Sequence, residues 1–358
     1  MGGMQRVSLQ LTDQLTANKG VELIEFTRET RWKFIVVKTT FFLLRLFFFL
    51  PSFVKKHKPD VILYSSMVTG SLAYFTRSRI KTPMISISHG HDVTLDVGIY
   101  QWLIKKVFNS LDGVISVSSA TRQECLNRGL DVAKSKVLPN GFDVRDLKIN
   151  YKRAEAKMLL EERFGFEAGN RKILLTVGRL IKRKGHEWFI REVLPKVNSD
   201  VIYVIVGSGA EKANIMSAIE ESGRKDSIML LGRQPDDVLE MAYSAADIFI
   251  MPNVKVKGDM EGFGVVLLEA NIRNTPAIAS DIEGIRDVIT QGKNGYRVAN
   301  RDAKGFAQKI DEVISLELET LSQSSRSFVE HQFSWEKVSK DYIKHLATFV
   351  RDEQVRPN

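Results

Sequence analysis

Two glutamates, Glu261 and Glu269, enclose a glycine-containing segment in the C-terminal half of the chain. The segment reads Glu-Gly-Phe-Gly-Val-Val-Leu-Leu-Glu and leads into a predicted helix over Val265–Asn271. Its two glycines allow the backbone to approach a ligand closely, and free N–H groups at the start of a helix favour negative charge. Carboxylates for hydroxyl groups beside amides for phosphate suit a sugar diphosphate. The alternative is a helix cap with one buried and one solvated acid, and the spacing alone favours neither.

Two cations follow another apolar run and could neutralise the same kind of ligand. In the segment Val-Gly-Arg-Leu-Ile-Lys-Arg-Lys-Gly (177–185), Arg179 could bind a diphosphate as a bidentate fork and Lys184 as a point charge. A solvated basic loop is equally compatible with this pattern. The turn Gly207-Ser-Gly209 contains only two of the three glycines of a dinucleotide-binding loop, so it is weak evidence by itself.

Three polar residues, His89, His91 and Asp92, come directly after the apolar run Met84–Ser88. They could ligate a metal, but the six histidines of the sequence offer no third clustered ligand. We therefore expect no metal site here. A purely structural role for both histidines is the alternative to a functional one.

Short apolar runs alternate with helical patterns along the chain, which is typical of parallel α/β sheets. The strand-like runs are Val21–Phe26, Val61–Tyr64, Met84–Ser88, Gly113–Val117, Lys172–Val177, Val201–Val206, Ser227–Leu231, Ile248–Met251 and Pro276–Ala279. Helices are predicted over Arg6–Ala17, Val238–Ala246 and Val265–Asn271. The runs form two blocks, which predicts two doubly wound domains with a cleft between them. Ligands of such sheets bind beyond the carboxyl ends of the strands.

The composition excludes several classes of protein. Of 358 residues, 44% are hydrophobic and 27% are charged, which is ordinary for a globular protein and unlike a disordered or collagenous chain. The single cysteine, Cys125, cannot form an internal disulfide, which favours a reducing compartment. No secretory leader pattern opens the chain, and the longest apolar run, residues 39–50, is shorter than the ~20 residues of a membrane-spanning helix. We predict a cytoplasmic protein without a membrane span.

The net charge of +9 is concentrated in the first half of the chain. Residues 1–150 contain 21 Lys and Arg against 12 Asp and Glu, whereas the remaining residues contain 31 of each. Such asymmetry predicts a polyanionic partner for the first half. No helix-turn-helix, zinc-finger or RNA-binding aromatic pattern accompanies the charge. We therefore expect no nucleic acid, and we favour an anionic membrane surface at the inner face of the cell membrane.

The segment Arg31–Lys58 is where such a membrane contact would occur. Arg31, Lys38 and Arg45 are seven residues apart, which places them near one stripe of a helix that is surrounded by phenylalanines. The segment could be an interfacial helix. Two amphipathic helices packed on the sheet explain the pattern equally well.

Taken together, the motifs resemble those of the family 4 retaining glycosyltransferases, which have the GT-B fold of two Rossmann-like domains. The Glu-x7-Glu pair, Gly-Arg-Leu-x3-Lys-Gly, Gly-Ser-Gly and the turn Pro139–Asp143 occur in the order and approximate spacing of that family. The resemblance extends from about Gly2 to the C terminus. It implies a first, acceptor-side domain over 1–150 and a nucleotide-sugar domain over 151–335. A last helix, within 336–358, would cross back to the first domain.

The resemblance also implies roles for individual residues. Arg179 and Lys184 would neutralise the leaving diphosphate, Glu269 would bind the ribose hydroxyls, and Glu261 would hold the donor sugar. His89, with His91 as the alternative, would lie near the transferred sugar. Further donor contacts are implied for Phe263, Gly264, Val265, Gly207 and Gly209 and, at the nucleobase, for Arg233 and Gln234.

The N terminus departs from the family pattern. Gly2, Gly3 and Arg6 resemble a glycine-rich loop that approaches the acceptor or the donor phosphate, yet in the family this loop follows a central strand. Here only Met1 precedes it. We therefore expect either that the first strand lies upstream of this sequence or that the first domain is rebuilt.

By resemblance, the chain would transfer a hexose or N-acetylhexosamine from UDP or GDP to a hydroxyl group of a lipid-linked or saccharide acceptor, in polysaccharide or glycolipid biosynthesis. A retaining front-face reaction is expected. The sequence contains no Asp-x-Asp, and the two cations would replace a divalent ion, so we expect no metal or other cofactor besides the nucleotide sugar. The alternatives are a nucleotide-sugar 2-epimerase of GT-B fold and an inactive sugar-nucleotide-binding module.

Overall fold

The computed structural model describes residues 3–27, 35–142 and 151–350, and the chain divides into two units. The first unit runs up to Gly141 and resumes at Trp335, and the second is Phe142–Ser334. The sequence placed the corresponding boundaries after residues 150 and 335. Each unit is built around its own parallel sheet.

The sheet of the first unit has four parallel strands in the order β1-β2-β3-β4. The strands are β1 (Ile62–Tyr64), β2 (Met84–Ser88), β3 (Gly113–Ser116) and β4 (Ser135–Val137). Its helices are α1 (Gly3–Thr16), α2 (Ile35–His57), α3 (Met67–Gly70), α4 (Leu72–Thr76), α5 (His91–Thr94), α6 (Gly98–Ser110) and α7 (Ser119–Asn127). The two central strands are buried along their whole length, as expected for a parallel sheet with helices on both faces.

The run Val21–Phe26 is not a strand, so that prediction is wrong. Residues 21–27 form neither helix nor strand, and Leu23, Ile24 and Phe26 remain 38–44% exposed. The ring of Phe26 packs edge-on against those of Phe49 and Phe53 of α2, with centroids 5.7 and 4.8 Å away. The apolar run is therefore used in packing against a helix, not in pairing with a strand.

The segment that was predicted to touch a membrane contains one helix, α2, where one alternative expected two. Within it, Leu50 and Val54 are buried in the core of the first unit. A second set of its side chains is exposed, namely Val37, Phe41, Leu44, Phe48 and Phe49. Because the helix continues through Arg45 and Pro51, its apolar stretch is longer than the run read from the sequence.

The described residues include one helical segment, Val37–His57, that is long and apolar enough to cross a membrane. It has 21 residues, a mean hydropathy of 1.6 and only 11% of its most apolar window buried. Length and composition alone do not distinguish a spanning helix from one at a surface. The argument that no segment reaches spanning length is nevertheless wrong.

The sheet of the second unit has six parallel strands in the order β10-β9-β8-β5-β6-β7. They are β5 (Lys172–Val177), β6 (Val201–Val206), β7 (Ile228–Gly232), β8 (Ile248–Met251), β9 (Ala277–Ser280) and β10 (Gly295–Val298). The strand order reverses between β5 and β8. A crevice at the carboxyl ends of the strands is expected at such a reversal.

Among the described residues, eight helices accompany this sheet. They are α8 (Arg153–Phe164), α9 (His186–Trp188), α10 (Lys212–Glu221), α11 (Asp236–Ala245), α12 (Val265–Asn271), α13 (Ile285–Val288), α14 (Ala303–Glu312) and α15 (Leu318–Phe333). Two of them, α9 and α14, continue into a five-residue segment of π geometry. Short 3₁₀ turns occur at Val132–Lys134, Lys182–Lys184, Leu194–Lys196 and Lys225–Ser227, and the π turns are Phe189–Val193 and Val313–Glu317. The apolar sides of helices and strands meet in a core that includes Leu174, Phe189, Tyr203 and Phe306.

The last helix, α16 (Trp335–Ala347), belongs to the first unit. Trp335 is buried, and its indole N–H donates to the side-chain oxygen of Gln10 at 3.2 Å. A Cβ on Gly141 would lie 2.3 Å from the same indole ring. Trp335 therefore closes the first unit, between α1 and the residue at which the chain leaves for the second unit.

Candidate functional site

Three turns meet at the carboxyl edge of the second sheet, after β5, β6 and β7. The N–H of Gly207 donates to the carbonyl oxygen of Gly232 at 2.8 Å, and the N–H of Gly178 donates to that of Val206 at 3.0 Å. A Cβ on Gly207 would lie 1.8 Å from the carbonyl oxygen of Gly178, so this position requires glycine. The predicted phosphate loops are thus neighbours in the structure.

Glu261 is the centre of a buried cluster at the same edge. Its Oε2 atom accepts a hydrogen bond from Lys184 Nζ at 2.6 Å and one from Asn253 Nδ2 at 2.8 Å. Arg183 Nη1 donates to the same oxygen, and Arg183 Nε donates to Asp259 at 3.0 Å. Two cations and an amide therefore hold one carboxylate in place, as a pair of buried charges requires.

The charged side chains of this cluster shift one another's pKa values. Burial by itself raises the pKa of Glu261, but Lys184 and Arg183 outweigh it and lower that pKa to about 2. Burial lowers the pKa of Lys184, Glu261 opposes that effect, and the positive charges of Arg183 and Arg179 reinforce it. Arg179 is thus close enough to Lys184 to repel it. Glu261 is an anion at every physiological pH.

Arg183 is a site residue that the sequence analysis missed. It lies between two lysines in Lys182–Lys184, and the 3₁₀ turn there leaves Lys182 exposed while it buries Arg183 and Lys184. Three consecutive cations carry no periodicity from which inward and outward positions can be read. The buried ion pairs of Arg183 appear only once the turn is folded.

Glu283 is a second missed residue. Its carboxylate accepts a hydrogen bond from the backbone N–H of Glu261, and the N–H of Gly284 donates to the carbonyl oxygen of Glu261 at 3.0 Å. Burial raises the pKa of Glu283. Its φ of 46° is uncommon for a residue with a side chain. Strained residues of this kind cluster at functional sites. Here the two hydrogen bonds with Glu283 and Gly284 hold the backbone of Glu261 in place.

Glu269 lies in α12, which begins after Gly264 at a φ of 90°. Its carboxylate accepts from the hydroxyl of Tyr243 at 2.8 Å, and its carbonyl oxygen accepts from Arg273 Nη1 at 2.6 Å. It is partly exposed, so a ligand can reach it. The ring of Phe263 is buried against that of Phe333, which leaves the backbone from Phe263 to Val265 for any contact with a donor.

The other residues that were predicted to contact the nucleotide sugar differ in whether they already have partners within the protein. Arg179 and Arg233 are exposed, and neither side chain forms a hydrogen bond or ion pair within residues 3–27, 35–142 and 151–350. Gln234 donates to the carbonyl oxygen of Leu231 in its own turn. A Cβ on Gly209 would lie 2.2 Å from the carbonyl oxygen of Leu180, so Gly209 serves the packing of two loops.

In the first unit, the ring of His89 is buried and hydrogen-bonded. Its Nε2 atom lies 2.9 Å from the carbonyl oxygen of Ser65, and because a carbonyl only accepts, Nε2 carries the hydrogen. Asp92 accepts from the N–H groups of His89 at 2.8 Å and Met67 at 3.0 Å. His91 is exposed. The remaining nitrogen of His89, Nδ1, can accept a hydrogen bond from a hydroxyl group.

The carboxylate of Asp92 is used by the backbone around His89, and no cluster of three His, Cys, Asp or Glu side chains suited to a metal occurs among the described residues. The ring of His89 is oriented by its hydrogen bond to the carbonyl oxygen of Ser65.

The predicted glycine-rich loop at the N terminus is wrong from Gly3 onwards. Helix α1 begins at Gly3, and the exposed Arg6 belongs to its first turn. Gly2 lies outside the described residues. The backbone from Gly3 onwards is therefore helical and does not form the predicted loop.

Two family models match the chain and together cover most of it. The model of glycosyl transferases group 1 matches residues 160–330, and that of glycosyltransferase family 4 matches residues 1–146. The chain belongs to the family 4 glycosyltransferases. Glu261 of the second unit and His89 of the first unit each lie within a matched region of this glycosyltransferase.

Curated relatives of this family 4 glycosyltransferase come from archaea and bacteria. An uncharacterized glycosyltransferase of Methanocaldococcus jannaschii is 29% identical over 235 residues, which are 64% of this chain and 58% of that protein. The GDP-mannose-dependent alpha-(1-6)-phosphatidylinositol monomannoside mannosyltransferase of Mycobacterium tuberculosis is 25% identical over 279 residues, 75% of this chain and 70% of that protein. The chain thus spans less than two thirds of the archaeal relative.

Solved structures show the fold of this glycosyltransferase. HepE of Anabaena in complex with UDP matches with a TM-score of 0.78 and 17% identity over 97% of this chain and 96% of that chain. At this identity the likeness concerns the fold alone. The GT-B fold predicted from the motifs is therefore confirmed, while the family models and the curated relatives confirm the predicted family and the predicted enzyme class.

Proposed function

We propose that this glycosyltransferase moves a hexose or N-acetylhexosamine from a UDP- or GDP-sugar to a hydroxyl group of a lipid-linked or saccharide acceptor. The observation that carries the proposal is the contact of Glu261 with Lys184 and Arg183 at the carboxyl edge of the second sheet, beside the exposed Arg179. A donor needs a hydrogen-bond acceptor for its sugar hydroxyls and cations for its diphosphate. This edge supplies both in one cluster.

The leaving diphosphate would be neutralised by the chain's own cations. Arg179 is exposed and can bind phosphate oxygens as a bidentate fork. Lys184 is buried next to it and already oriented by Glu261. Because these side chains supply positive charge at the leaving group, we propose that transfer needs no metal, and activity should persist in excess chelator.

We further propose that the anomeric configuration is retained by a front-face reaction. A carboxylate with a pKa near 2 that accepts bonds from two cations is weakly nucleophilic, so Glu261 is suited to binding hydroxyl groups and not to forming a covalent sugar adduct. The anomer of the product, determined by NMR, tests this step. An inverted product would contradict it.

The proposal includes both uridine and guanosine diphosphate as the nucleotide of the donor. The mycobacterial relative is named for GDP-mannose, whereas HepE was solved with UDP. Arg233 and Gln234, at the end of β7, are the residues that we propose contact the base. Calorimetric titration with UDP-, GDP- and ADP-sugars would rank the donors.

The transferase proposal is tested by release of nucleoside diphosphate with and without an added acceptor. Release that requires an acceptor supports transfer. Interconversion of the donor with its 2-epimer in the absence of acceptor would show the epimerase instead. Binding of nucleotide sugar without turnover under either condition would show an inactive binding module.

Substitution Arg179→Ala is expected to lower donor affinity at least about tenfold, since a charge-assisted hydrogen bond contributes ~1.5–3 kcal/mol. The melting temperature should hardly change, because Arg179 is exposed and unpaired within the described residues. Calorimetric titration with the nucleoside diphosphate measures the effect. The neighbouring exposed Lys182→Ala is the matched control, and an equal loss in both variants would contradict a specific role for Arg179.

We also propose that the first unit docks on an anionic membrane through α2. Lys38 and Arg45 lie on this helix together with exposed side chains such as Phe41 and Phe48, which are 61% and 71% exposed. Arg31, the third cation of the predicted stripe, lies outside the described residues. Cations and aromatic side chains on one helix are suited to an interface, and the location would be the inner face of the cell membrane.

Docking of this kind predicts sedimentation with anionic vesicles that decreases as salt rises. Each cation near the surface contributes ~1 kcal/mol, so the double variant Lys38→Gln, Arg45→Gln should bind roughly thirtyfold more weakly. Lys212→Gln with Lys225→Gln, two exposed cations of the second unit, is the control. Salt-resistant binding to neutral vesicles would instead indicate insertion of α2, and absence of binding to either vesicle would end the proposal.

A further inference from the structure

A cavity of about 480 Å³ opens beside the C-terminal end of α2. Its walls come from two stretches of chain, residues 51–59 at the end of the helix and residues 79–82 before β2. Four of its ten lining residues are cations, Lys55, Lys58, Arg79 and Lys81, and none of the ten is acidic. The cavity lies outside the proposed donor site, in the other unit.

The four cations are not neutralised by the protein. Each is exposed, and none forms an ion pair with a carboxylate in the described part of the chain. Arg77, on the same turn as Arg79, shows the contrast: its guanidinium donates two hydrogen bonds to Asp112, at 2.8 and 2.9 Å. The guanidinium of Arg79 instead lies 4.4 Å above the ring of Phe47.

The end of a helix explains only part of this charge. Lys55 lies in the last turn of α2 and Lys58 directly follows it, where the helix dipole favours cations. Arg79 and Lys81 arrive from a separate segment, and their approach to two further cations is unfavourable without an anion. A ligand with several negative oxygens would relieve that repulsion.

The surroundings of the cavity identify the source of the anion. The exposed rings of Phe48 and Phe49 lie on the adjoining turns of α2, and Phe75 of α4 contacts Phe47 with ring centroids 6.4 Å apart. The aromatic surface continues through Tyr74 to Trp102, linked by the ammonium of Lys106. Aromatic side chains beside cations are the composition of a membrane interface, where phosphate lies next to hydrocarbon.

We propose that this cavity binds the phosphate of an anionic phospholipid headgroup while the exposed rings of α2 and α4 enter the bilayer interface. The proposal rests on the membrane docking proposed for α2 and adds a defined headgroup site to it. Non-specific attraction would depend on the number of cations in the first unit, whereas a headgroup site depends on these four.

The test compares two variants of equal net charge in the full chain. One carries Lys55→Gln, Lys58→Gln, Arg79→Gln and Lys81→Gln. The other carries Lys19→Gln, Lys136→Gln, Lys340→Gln and Lys344→Gln, four exposed cations of the first unit that lie outside the cavity. Flotation with phosphatidylglycerol–phosphatidylcholine vesicles at 0.15 M salt should show at least about 100-fold weaker binding for the first variant and less than about threefold for the second.

Three other outcomes would overturn the headgroup site in different ways. If the wild type binds anionic vesicles and both variants bind alike, the site is wrong and docking through α2 stands. If the wild type binds no vesicles, docking itself fails. If the cavity variant binds vesicles as well as the wild type does, while inorganic phosphate at constant ionic strength raises the melting temperature of the wild type alone, the cavity is a site for a soluble anion. Release of nucleoside diphosphate in solution should be unchanged in both variants.

Discussion

Replacing Glu261 by glutamine is expected to lower kcat/KM for sugar transfer at least about hundredfold, which corresponds to ~2.7 kcal/mol of lost transition-state stabilisation. Glutamine keeps the size of the side chain but removes the charge that Lys184, Arg183 and Asn253 surround. We expect most of the loss in kcat, because the two cations still attract the diphosphate of the donor. Steady-state kinetics with the preferred donor and acceptor measure it.

The same substitution should also destabilise the protein, since breaking a buried ion pair by removing one partner costs ~3–5 kcal/mol. Glu221→Gln is a matched control. Glu221 also has a pKa lowered to about 2, by hydrogen bonds from Arg191 and Ser217, but it lies on the surface, where solvent and salt screen ion pairs. Equal melting temperatures for the two variants would contradict the importance of the buried cluster.

The low pKa of Glu261 gives this stability a definite pH dependence. Because the folded-state pKa of about 2 lies below the ordinary value of 4.5, the stabilisation is fully present above pH ~5 and is lost as the pH falls from about 4.5 towards 2. Chemical denaturation between pH 3 and 7 should show a smaller acid-induced loss of unfolding free energy in Glu261→Gln than in the wild type.

Replacing Gly185 by alanine is the second change for which we expect a large effect. Gly185 has a φ of 67°, and a Cβ on it would lie 2.0 Å from the carbonyl oxygen of Pro252. The clash is with backbone, so the turn that carries Lys184 must move away from the segment that leads to Asn253 and Glu261. We expect a loss of ~3 kcal/mol or more in unfolding free energy, well beyond the ~1 kcal/mol of a left-handed residue, and at least tenfold lower activity.

Gly165→Ala separates the steric clash with Pro252 from the conformational cost of a left-handed alanine. Gly165 has nearly the same φ, 66°, but a Cβ there would meet nothing within 4 Å. It should therefore show only the conformational cost of a left-handed alanine and normal activity. Denaturant unfolding and kinetics of both variants check this, and similar losses at both positions would mean that the contact with Pro252 is unimportant.

The strands of both sheets could largely be predicted because burial on two faces leaves almost continuous apolar runs. Met84–Ser88, Lys172–Val177, Val201–Val206 and Ile248–Met251 were predicted with the bounds that the structure has. The edge strands β4 and β10 were missed, because Ser135–Val137 and Gly295–Val298 each include polar residues and are only partly buried. Val21–Phe26 was assigned to a sheet because a local apolar run does not reveal what it packs against.

The site could be predicted only as far as its motifs extend. Glu261, Lys184 and Arg179 were singled out by their positions after strands, and the resemblance to the family assigned them roles that stay predictions. Arg183 and Glu283 were missed, because both act through the tertiary structure: one through ion pairs across 76 and 78 positions of the chain, the other through a backbone N–H 22 residues away. No local pattern records such distances.

The return of α16 to the first unit sets the order in which the protein can fold during synthesis. Phe142–Ser334 is continuous in the chain, so the second unit can fold as soon as it has left the ribosome, as domains generally do. The first unit must wait, because Trp335, which contacts Gln10 and Gly141, is made only after the whole second unit. For the time needed to synthesise about 190 residues, the apolar surfaces that α16 will cover remain exposed to solvent. Chaperones can bind these surfaces during that time.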